Sequence, residues 1–564
     1  MREMTIFNNN PSAADSSMPR GFKIVYTKAT KSLRIDSKGL IVCNLDRCTR
    51  ISIERDETKQ IYDEIEAAKR SKGIIVCNDD IGLRVLNDPF CTIPLYYTEN
   101  DTHFIASSDP QELILFQTHE YDPVGVWELL VIGNTLWNRT AYKGIKLLPA
   151  ACELSVEITI KLRRYWNFDF GSMHHGFNER TYFHDLDDLL NYKFENLQIS
   201  RVCMGLSGGN DSRLAAHYLA KNKHRLSEIK LFTYAAHSNS YEYRFAREVA
   251  IALGLKKPCL HLLNDNHYTN ALDYLPQWSA GQINNLHCHL TSYLKEVTPK
   301  QGDIVHLSNY YTDALFGYEC KPSSPLNDIT QAKAYKTIIN TSIIPNFIQE
   351  QMLEDLRIAL NPSSGADNYF STLDEYKYIV ERNTKFHLSL AFIQSQFIRT
   401  LLPFADIDVL SMAMRVPLAM RENKGVLDKL LHYVNPRLTK IGSSANTEYF
   451  YGASSRLRNG TFLERMKYKK FRLLNMCSQT LAKLSNGGLR LGNPFQTEDQ
   501  ISVYRNSFES LSSSIQSNEA LCECLGATAI EQVLRNGLVL RNLEQRFHLI
   551  CLHKLSLSKV AKGA

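Results

Sequence analysis

The stretch that decides the fold reads Met204-Gly205-Leu206-Ser207-Gly208-Gly209-Asn210-Asp211-Ser212-Arg213. It begins at the end of an apolar run, Arg201 to Leu206, that reads as a buried strand, and it opens a segment of helical character. Two glycines let the main chain come close to an anion, and a serine on either side offers a hydroxyl donor. The following helix points N–H groups and the positive end of its dipole at the same place. Asp211, inside the loop, suits a Mg2+ ion that bridges phosphate oxygens. No lysine follows the glycines, so this is not the GxxxxGKS/T loop that clasps β and γ phosphates. An ordinary glycine turn is the competing reading, and the strand–loop–helix setting favours the phosphate loop.

Working outward, the segment before the loop predicts a helix with Leu186, Leu189, Leu190, Phe194 and Leu197 on one face. After it come a strand at Ile229 to Tyr234, a helix from about Ser240 to Leu253, and a strand at Asp303 to Leu307. Such β-α-β alternation predicts a parallel sheet with covering helices. Upstream, from Gly21 to about Phe170, short β-rich runs alternate with turn signals and predict a mostly antiparallel first domain. Residues 1–20, rich in Asn, Ser and Pro, read as a flexible arm. Gly171 to Gly176 reads as a linker, and residues beyond about 330 read as mainly helical. Residues 451–564 read as a helical basic extension, with Arg456, Arg458, Arg465, Lys467, Lys469, Lys470 and Arg472 concentrated before Lys483.

The loop matches the SGGxDS pattern of the ATP pyrophosphatases, PP-loop enzymes that transfer AMP to a substrate oxygen and release pyrophosphate. From about residue 20 to 445 the sequence resembles the asparagine synthetase family, which includes β-lactam synthetases and lasso-peptide cyclases. In the first domain the resemblance is carried by Arg84-Val85-Leu86-Asn87-Asp88-Pro89, Pro94-Leu95-Tyr96-Tyr97, Phe104-Ile105-Ala106-Ser107, Thr140, Gly144 to Pro149, and Tyr165-Trp166. In the second it is carried by Ser308-Asn309-Tyr310-Tyr311-Thr312-Asp313, Arg399 to Asp406, Lys424 to Leu431 and Pro436 to Lys440. The fold this implies is α/β: a degenerate Ntn-type glutaminase-like α+β sandwich over 21–172, then a parallel-sheet, adenine nucleotide α-hydrolase-like ATP-binding domain over 180–450.

The resemblance implies ATP and Mg2+ as cofactors, with Leu206, Ser207, Gly208, Gly209, Asn210, Asp211 and Ser212 around the pyrophosphate. Asp211 and Asp313 would be the Mg2+ ligands; a helix N-cap is the plain alternative for Asp313. Tyr310 falls where β-lactam synthetases place a catalytic Tyr, with a core aromatic as its alternative. Lys440 is the first choice for a cation that stabilises the transition state, against an ordinary surface Lys. Ser238 and Glu242 are placed near the adenine or ribose end. The family's glycines before Asp313 are missing here.

Glutamine-dependent members use an N-terminal Cys whose own amine is the base. Residue 2 is Arg and the nearest Cys is Cys43, so the first domain is expected to persist as scaffold, with the attacking amine coming from elsewhere. A peptide carboxylate, as in lasso-type macrocyclisation, and a polysaccharide sugar acid are the favoured substrates. A precursor peptide or partner protein could meet the basic stretch, which otherwise reads as a solvated helix face. A silent scaffold protein and a PP-loop tRNA-modifying enzyme are the rival readings.

Composition bounds the rest. At 564 residues the chain predicts two or three domains. A net charge of +6 is small for that length and calls for neither nucleic acid nor a membrane surface. Thirteen cysteines without CxxC pairs suggest no zinc ribbon and no disulfide framework. With no signal-like or membrane-spanning apolar run, a cytoplasmic location is expected.

Overall fold

A computed structural model describes residues 5–8, 22–27, 40–44, 48–51, 72–78, 83–100, 103–114, 120–156, 159–166, 177–297, 303–316, 341–360, 378–421, 425–442, 497–535 and 540–557, with single helical residues at 66, 70, 473, 477 and 480. Before residue 66 only the backbone is described. The described fold is mixed α/β, with antiparallel sheets first, one parallel sheet second and helices last.

The first part contains strands β1 (Thr5–Asn8), β2 (Phe22–Thr27), β3 (Leu40–Asn44), β4 (Cys48–Ile51), β5 (Gly73–Asn78), β6 (Leu83–Asn87), β7 (Tyr96–Glu99), β8 (His103–Ser107), β9 (Lys146–Leu147), β10 (Cys152–Val156) and β11 (Ile160–Arg164). They form two sheets, ordered β1-β2-β8-β7-β9 and β11-β10-β6-β5-β3-β4, and every pairing is antiparallel. Ile74, Ile75 and Val76 are buried in succession, so β5 is covered on both faces. Part of the expected arm is thus a strand: Thr5-Ile6-Phe7 is a short β-favourable run inside a polar stretch, and it pairs with β2.

Helix α1 (Pro123–Val131) starts at Asp122, whose carboxylate accepts from the N–H groups of Val124 at 2.9 Å and Gly125 at 3.2 Å. Gly125 has no substitute, because a Cβ there would lie 2.0 Å from the Thr140 carbonyl oxygen. The second part holds α2 (Glu179–Glu195), β12 (Arg201–Gly205), α3 (Asn210–Lys221), β13 (Glu228–Ala235), α4 (Tyr241–Ala252), β14 (Cys259–Leu262), α5 (His289–Val297) and β15 (Val305–Leu307). A ten-residue π-helix (Tyr378–His387), α6 (Leu388–Ser395), β16 (Thr400–Leu401), α7 (Ile407–Met414), α8 (Gly425–Val434) and, much later, α9 (Leu540–Leu557) complete it.

The strands β14-β13-β12-β15-β16 form one parallel sheet. The chain leaves β12 toward β13 and β14 on one side, then returns to build β15 and β16 on the other. That reversal puts a crevice between the C-terminal ends of β12 and β15, where ligands of open parallel sheets bind. β14 and β16 are too short to show a periodic pattern. The Arg399–Asp406 segment, one of those that carry the resemblance, supplies the edge strand β16, and Asp406 then caps α7.

The described part of the C-terminal region is integrated into the body. In α9, Leu543, Phe547, Leu549, Ile550 and Leu552 are buried. Gln545 donates to Leu130 O at 2.9 Å, Trp127 Nε1 to Cys524 O at 3.2 Å, and Tyr121 to Leu552 O. The basic side chains Arg456 to Arg472 lie outside the described residues. Arg139 ties the first part to the second by bonding Asp122 at 2.7 Å and Asp355 at 2.6 Å. The π-helix adds a fully buried Lys385–Glu381 pair at 2.6 Å, whose members also bond Thr135 O and Trp137 N. None of the described helices is long and apolar enough to cross a membrane.

Candidate functional site

The loop after β12 stands at the switch point. Leu206 is buried, and β13 takes both its main-chain groups: its N–H donates to Phe232 O at 2.8 Å, and its carbonyl accepts from Thr233 Oγ1 at 2.6 Å. Leu206 therefore anchors the loop. Ser212 Oγ accepts from Ser207 N and meets Ser207 Oγ, each at 3.0 Å, while Ser207 Oγ accepts from Gly209 N at 3.0 Å. The two serines thus fold the loop back over the start of α3.

Gly209 is the N-cap of α3 with ordinary φ of −80°, so it is not there for a left-handed turn. Its hydrogen is needed for space: a Cβ would come within 3.2 Å of Ser207 Oγ and 4.0 Å of Asp211 Oδ2. The same distances show the Asp211 carboxylate turned toward the loop. Gly209 brings no capping side chain to the first helical turn, the kind of helix start that suits an anion.

Glu242, in the first turn of α4, accepts from Gly208 N through its carboxylate. The contact places Glu242, expected near the adenine or ribose end, beside the loop at Gly208. Ser238 is exposed in the turn between β13 and α4. Beneath the loop lies Arg213, 1% exposed. Its guanidinium donates to Gly208 O at 3.2 Å, Leu438 O at 2.7 Å, Ile441 O at 3.1 Å and Gly442 O at 2.9 Å. Burial pulls its pKa down to about 10 against the opposing pull of Glu242, Asp428 and Glu248, so it keeps its charge at neutral pH. A fixed cation therefore lies under the backbone that would meet phosphate. Asn210 Nδ2 donates to Asp428 Oδ1 on α8 at 2.8 Å, tying the helix start to the C-terminal part of the domain.

Across the crevice, β15 is followed by Ser308 to Tyr311 and the short helix Thr312–Leu315. Tyr311 caps that helix at φ 79°, a left-handed conformation natural to glycine. The backbone turn is glycine-like without a glycine. Its ring is buried edge-on against Phe90 of the first part, centroids 5.0 Å apart. Asp313 is in the first turn of this helix, partly buried. Asp211 and Asp313 thus follow adjacent parallel strands at the same edge, and oxygen donors of this kind fit Mg2+.

Tyr310 packs its ring 5.6 Å from that of His387, and its hydroxyl accepts from Gln394 Nε2 at 3.0 Å. Burial raises its pKa, so the phenol stays protonated and can donate a hydrogen bond without acting as a base. His387 donates from Nδ1 to Asn383 Oδ1 at 2.8 Å, and burial holds its pKa at about 3. Lys440 is exposed at the end of the short helix Pro436–Thr439. Its chain neighbours Leu438 and Ile441 hold Arg213, which puts Lys440 at the rim of the loop.

Arg213, Asp428, Gln394 and His387 were not singled out from the sequence as parts of the site. Their partners lie far along the chain, and only Arg213 carries a local signal, its place directly after the loop.

No protein-family model matches the sequence, and no curated protein matches it. Among solved structures, a U34-tRNA thiolase NcsA from Methanococcus maripaludis, with its [4Fe-4S] cluster, aligns at 14% identity with a TM-score of 0.19. The alignment covers 49% of this chain and 82% of that one. At that score the two backbones do not superpose as wholes, and the site stands on its own geometry.

Proposed function

We propose that this chain is an ATP- and Mg2+-dependent amide-forming enzyme, related to asparagine synthetase, that activates a substrate carboxylate as its adenylate and releases pyrophosphate. The observation that carries this reading is the placement of Ser207 to Ser212 at the switch point of a parallel sheet, opposite a second loop bearing Asp313. A bound Mg2+ would neutralise phosphate charge. Asp211 and Asp313 would hold it. The serine hydroxyls and the first-turn amides of α3 would bind the pyrophosphate moiety, backed by Arg213. Tyr310, kept protonated, would orient the reacting carboxylate by hydrogen bonding, and Lys440 would enter from the rim.

The amine would come from the substrate or a second molecule. Among the described residues of the first part, Cys91 and Cys152 are buried, and burial pushes their thiols up to about 12 and about 11. Such thiols are poor nucleophiles, which supports a scaffold role for that part. Peptide macrocyclisation and amidation of a sugar acid remain the favoured substrate classes.

The test is to supply candidate peptide or sugar-acid carboxylates with an amine and to follow nucleotide products. AMP and pyrophosphate are expected; ADP would refute adenylation. Asp211→Asn and Asp313→Asn should each slow pyrophosphate release by roughly a hundredfold, since metal charge stabilisation is worth several kcal/mol. If Asp313 serves only its helix, Asp313→Asn will cost about 0.3–1 kcal/mol of stability and leave turnover alone.

A further inference from the structure

Two strands away from the phosphate loop, at the free edge of the parallel sheet, three side chains from three elements converge. His261 is on β14, His267 is the third residue of the following helix Asp265–Ala271, and Glu296 is near the end of α5. Their ligand atoms all lie within 4.8 Å of one another.

The surrounding hydrogen bonds assign a proton position to each ring. With the Ser292 hydroxyl hydrogen assigned to His289 O, the shorter of its two contacts at 2.9 Å, Ser292 Oγ accepts from His261 Nε2, 3.1 Å away. His261 therefore carries its proton on Nε2 and a lone pair on Nδ1. His267 Nδ1 accepts from Asn264 N at 2.9 Å in a capping box, so its Nε2 carries the proton and donates to Glu296 Oε1 at 2.9 Å. What remains is His261 Nδ1 facing Glu296 Oε2 at 3.7 Å, a basic nitrogen and a carboxylate oxygen with no proton between them. The gap is too long for a hydrogen bond. Two metal–ligand bonds of about 2.1 Å each span it.

We propose that His261 Nδ1 and Glu296 Oε2 bind a divalent transition-metal ion, with the His267 Nε2–H group locking the other Glu296 oxygen and water completing the shell. Glu296 is 54% exposed on its side chain, so solvent reaches the open positions. Imidazole nitrogen selects metals such as Zn2+, Co2+ or Ni2+ over Mg2+, which separates this centre chemically from the all-oxygen pair Asp211 and Asp313. His267 is a positioning residue here: metal on its Nε2 would require a proton on Nδ1, against the Asn264 N–H. The ion would clamp the edge strand to α5.

The test titrates the full chain with Co2+ and reads its visible absorption, with Mg2+ in excess as a control. One Co2+ per chain is expected, undisturbed by Mg2+, with affinity lowered at least about tenfold by His261→Ala and by Glu296→Gln. Glu296 lies on the surface, so the isosteric Glu296→Gln keeps the fold and the result interpretable. His267→Gln, which retains a donor, should lose less affinity than either ligand variant, because an orienting hydrogen bond is altered and no metal ligand is removed. Absence of binding, or equal binding by the His261 and Glu296 variants, overturns the site. So does a thiolate-to-cobalt charge-transfer band, which would assign the ion to an accessible cysteine such as Cys259 or Cys477.

Discussion

The two loops that face each other across the switch point are built on opposite plans. After β12, two glycines and two serines make a loop of ordinary φ at Gly209, held from below by the charged, buried Arg213. After β15 there is no glycine; the turn is made by Tyr311 in a left-handed conformation, held by packing against Phe90. One loop is specified by local chemistry and the other by its surroundings. A single fold can therefore position one half of a site in a way a sequence motif reveals and the other half in a way it does not.

The largest effect should come from removing the support of the first loop. Arg213→Met strands four carbonyl oxygens, two of them buried (Gly208 and Leu438) and two partly buried (Ile441 and Gly442). Each lost partner costs about 1–3 kcal/mol, so destabilisation on the order of 4 kcal/mol is expected in urea unfolding. Arg213→Lys should recover little, because an ammonium cannot serve that fork of acceptors. A loss below about 1 kcal/mol would mean the loop holds itself, and the contrast between the two plans would fail.

The second loop grows from a strand that carries a buried base of the other kind. His306 on β15 is held neutral, burial pushing its pKa down to about 3. Unfolded histidine titrates near 6.5, so between about pH 6.5 and pH 3 the unfolded chain binds the extra proton. The stability contributed by neutral His306 is full above pH 6.5 and falls by about 1.4 kcal/mol per pH unit below it. At pH 5 the loss reaches about 2 kcal/mol. Urea midpoints at pH 7 and pH 5 should show this loss in the parent chain and a smaller one in His306→Gln; parallel pH profiles would remove His306 as the cause.

How much of this was legible follows the same division. The Ser207–Ser212 loop, β12, β13, β15 and α4 were readable because each combines a local pattern with its proper neighbours. Asp211 and Asp313 could be placed on one edge once the sheet was inferred. Arg213 was visible as a residue, yet its four acceptors, three of them beyond residue 437, follow from tertiary packing alone. Tyr311 offered no signal at all, since left-handed tyrosine is set by Phe90 and by the strand beneath it. β14 and β16 escaped because a few residues at a sheet edge carry no period.

Tyr311 also gives a smaller, sharper test. At φ 79° a side chain is strained and glycine is not. Tyr311→Ala and Tyr311→Gly both lose the aromatic contact, so their difference isolates the backbone. The glycine variant should be the more stable by about 1 kcal/mol, the reverse of the usual order in regular structure. If alanine is the better tolerated, the turn is not left-handed and the second loop is not the strained counterpart of the first.

The least effect is expected at Glu242, and it bears on how the first loop is used. Its carboxylate holds Gly208 N–H, the amide an incoming phosphate oxygen would take. Two roles make opposite predictions. If Glu242 is a stand-in that phosphate displaces, Glu242→Gln keeps an acceptor but removes the competing charge, and inorganic pyrophosphate should bind about threefold more tightly. That is the worth of one charge-assisted hydrogen bond over a neutral one. If Glu242 stays on Gly208 to shape the loop, the same change should weaken binding by a similar factor. Calorimetric titration of pyrophosphate with Mg2+ distinguishes the two by sign alone. Tighter binding means that the glycine loop is ordered in advance by a carboxylate of its own chain, much as the second loop is ordered by a ring, and that the two plans differ in what they use as filler.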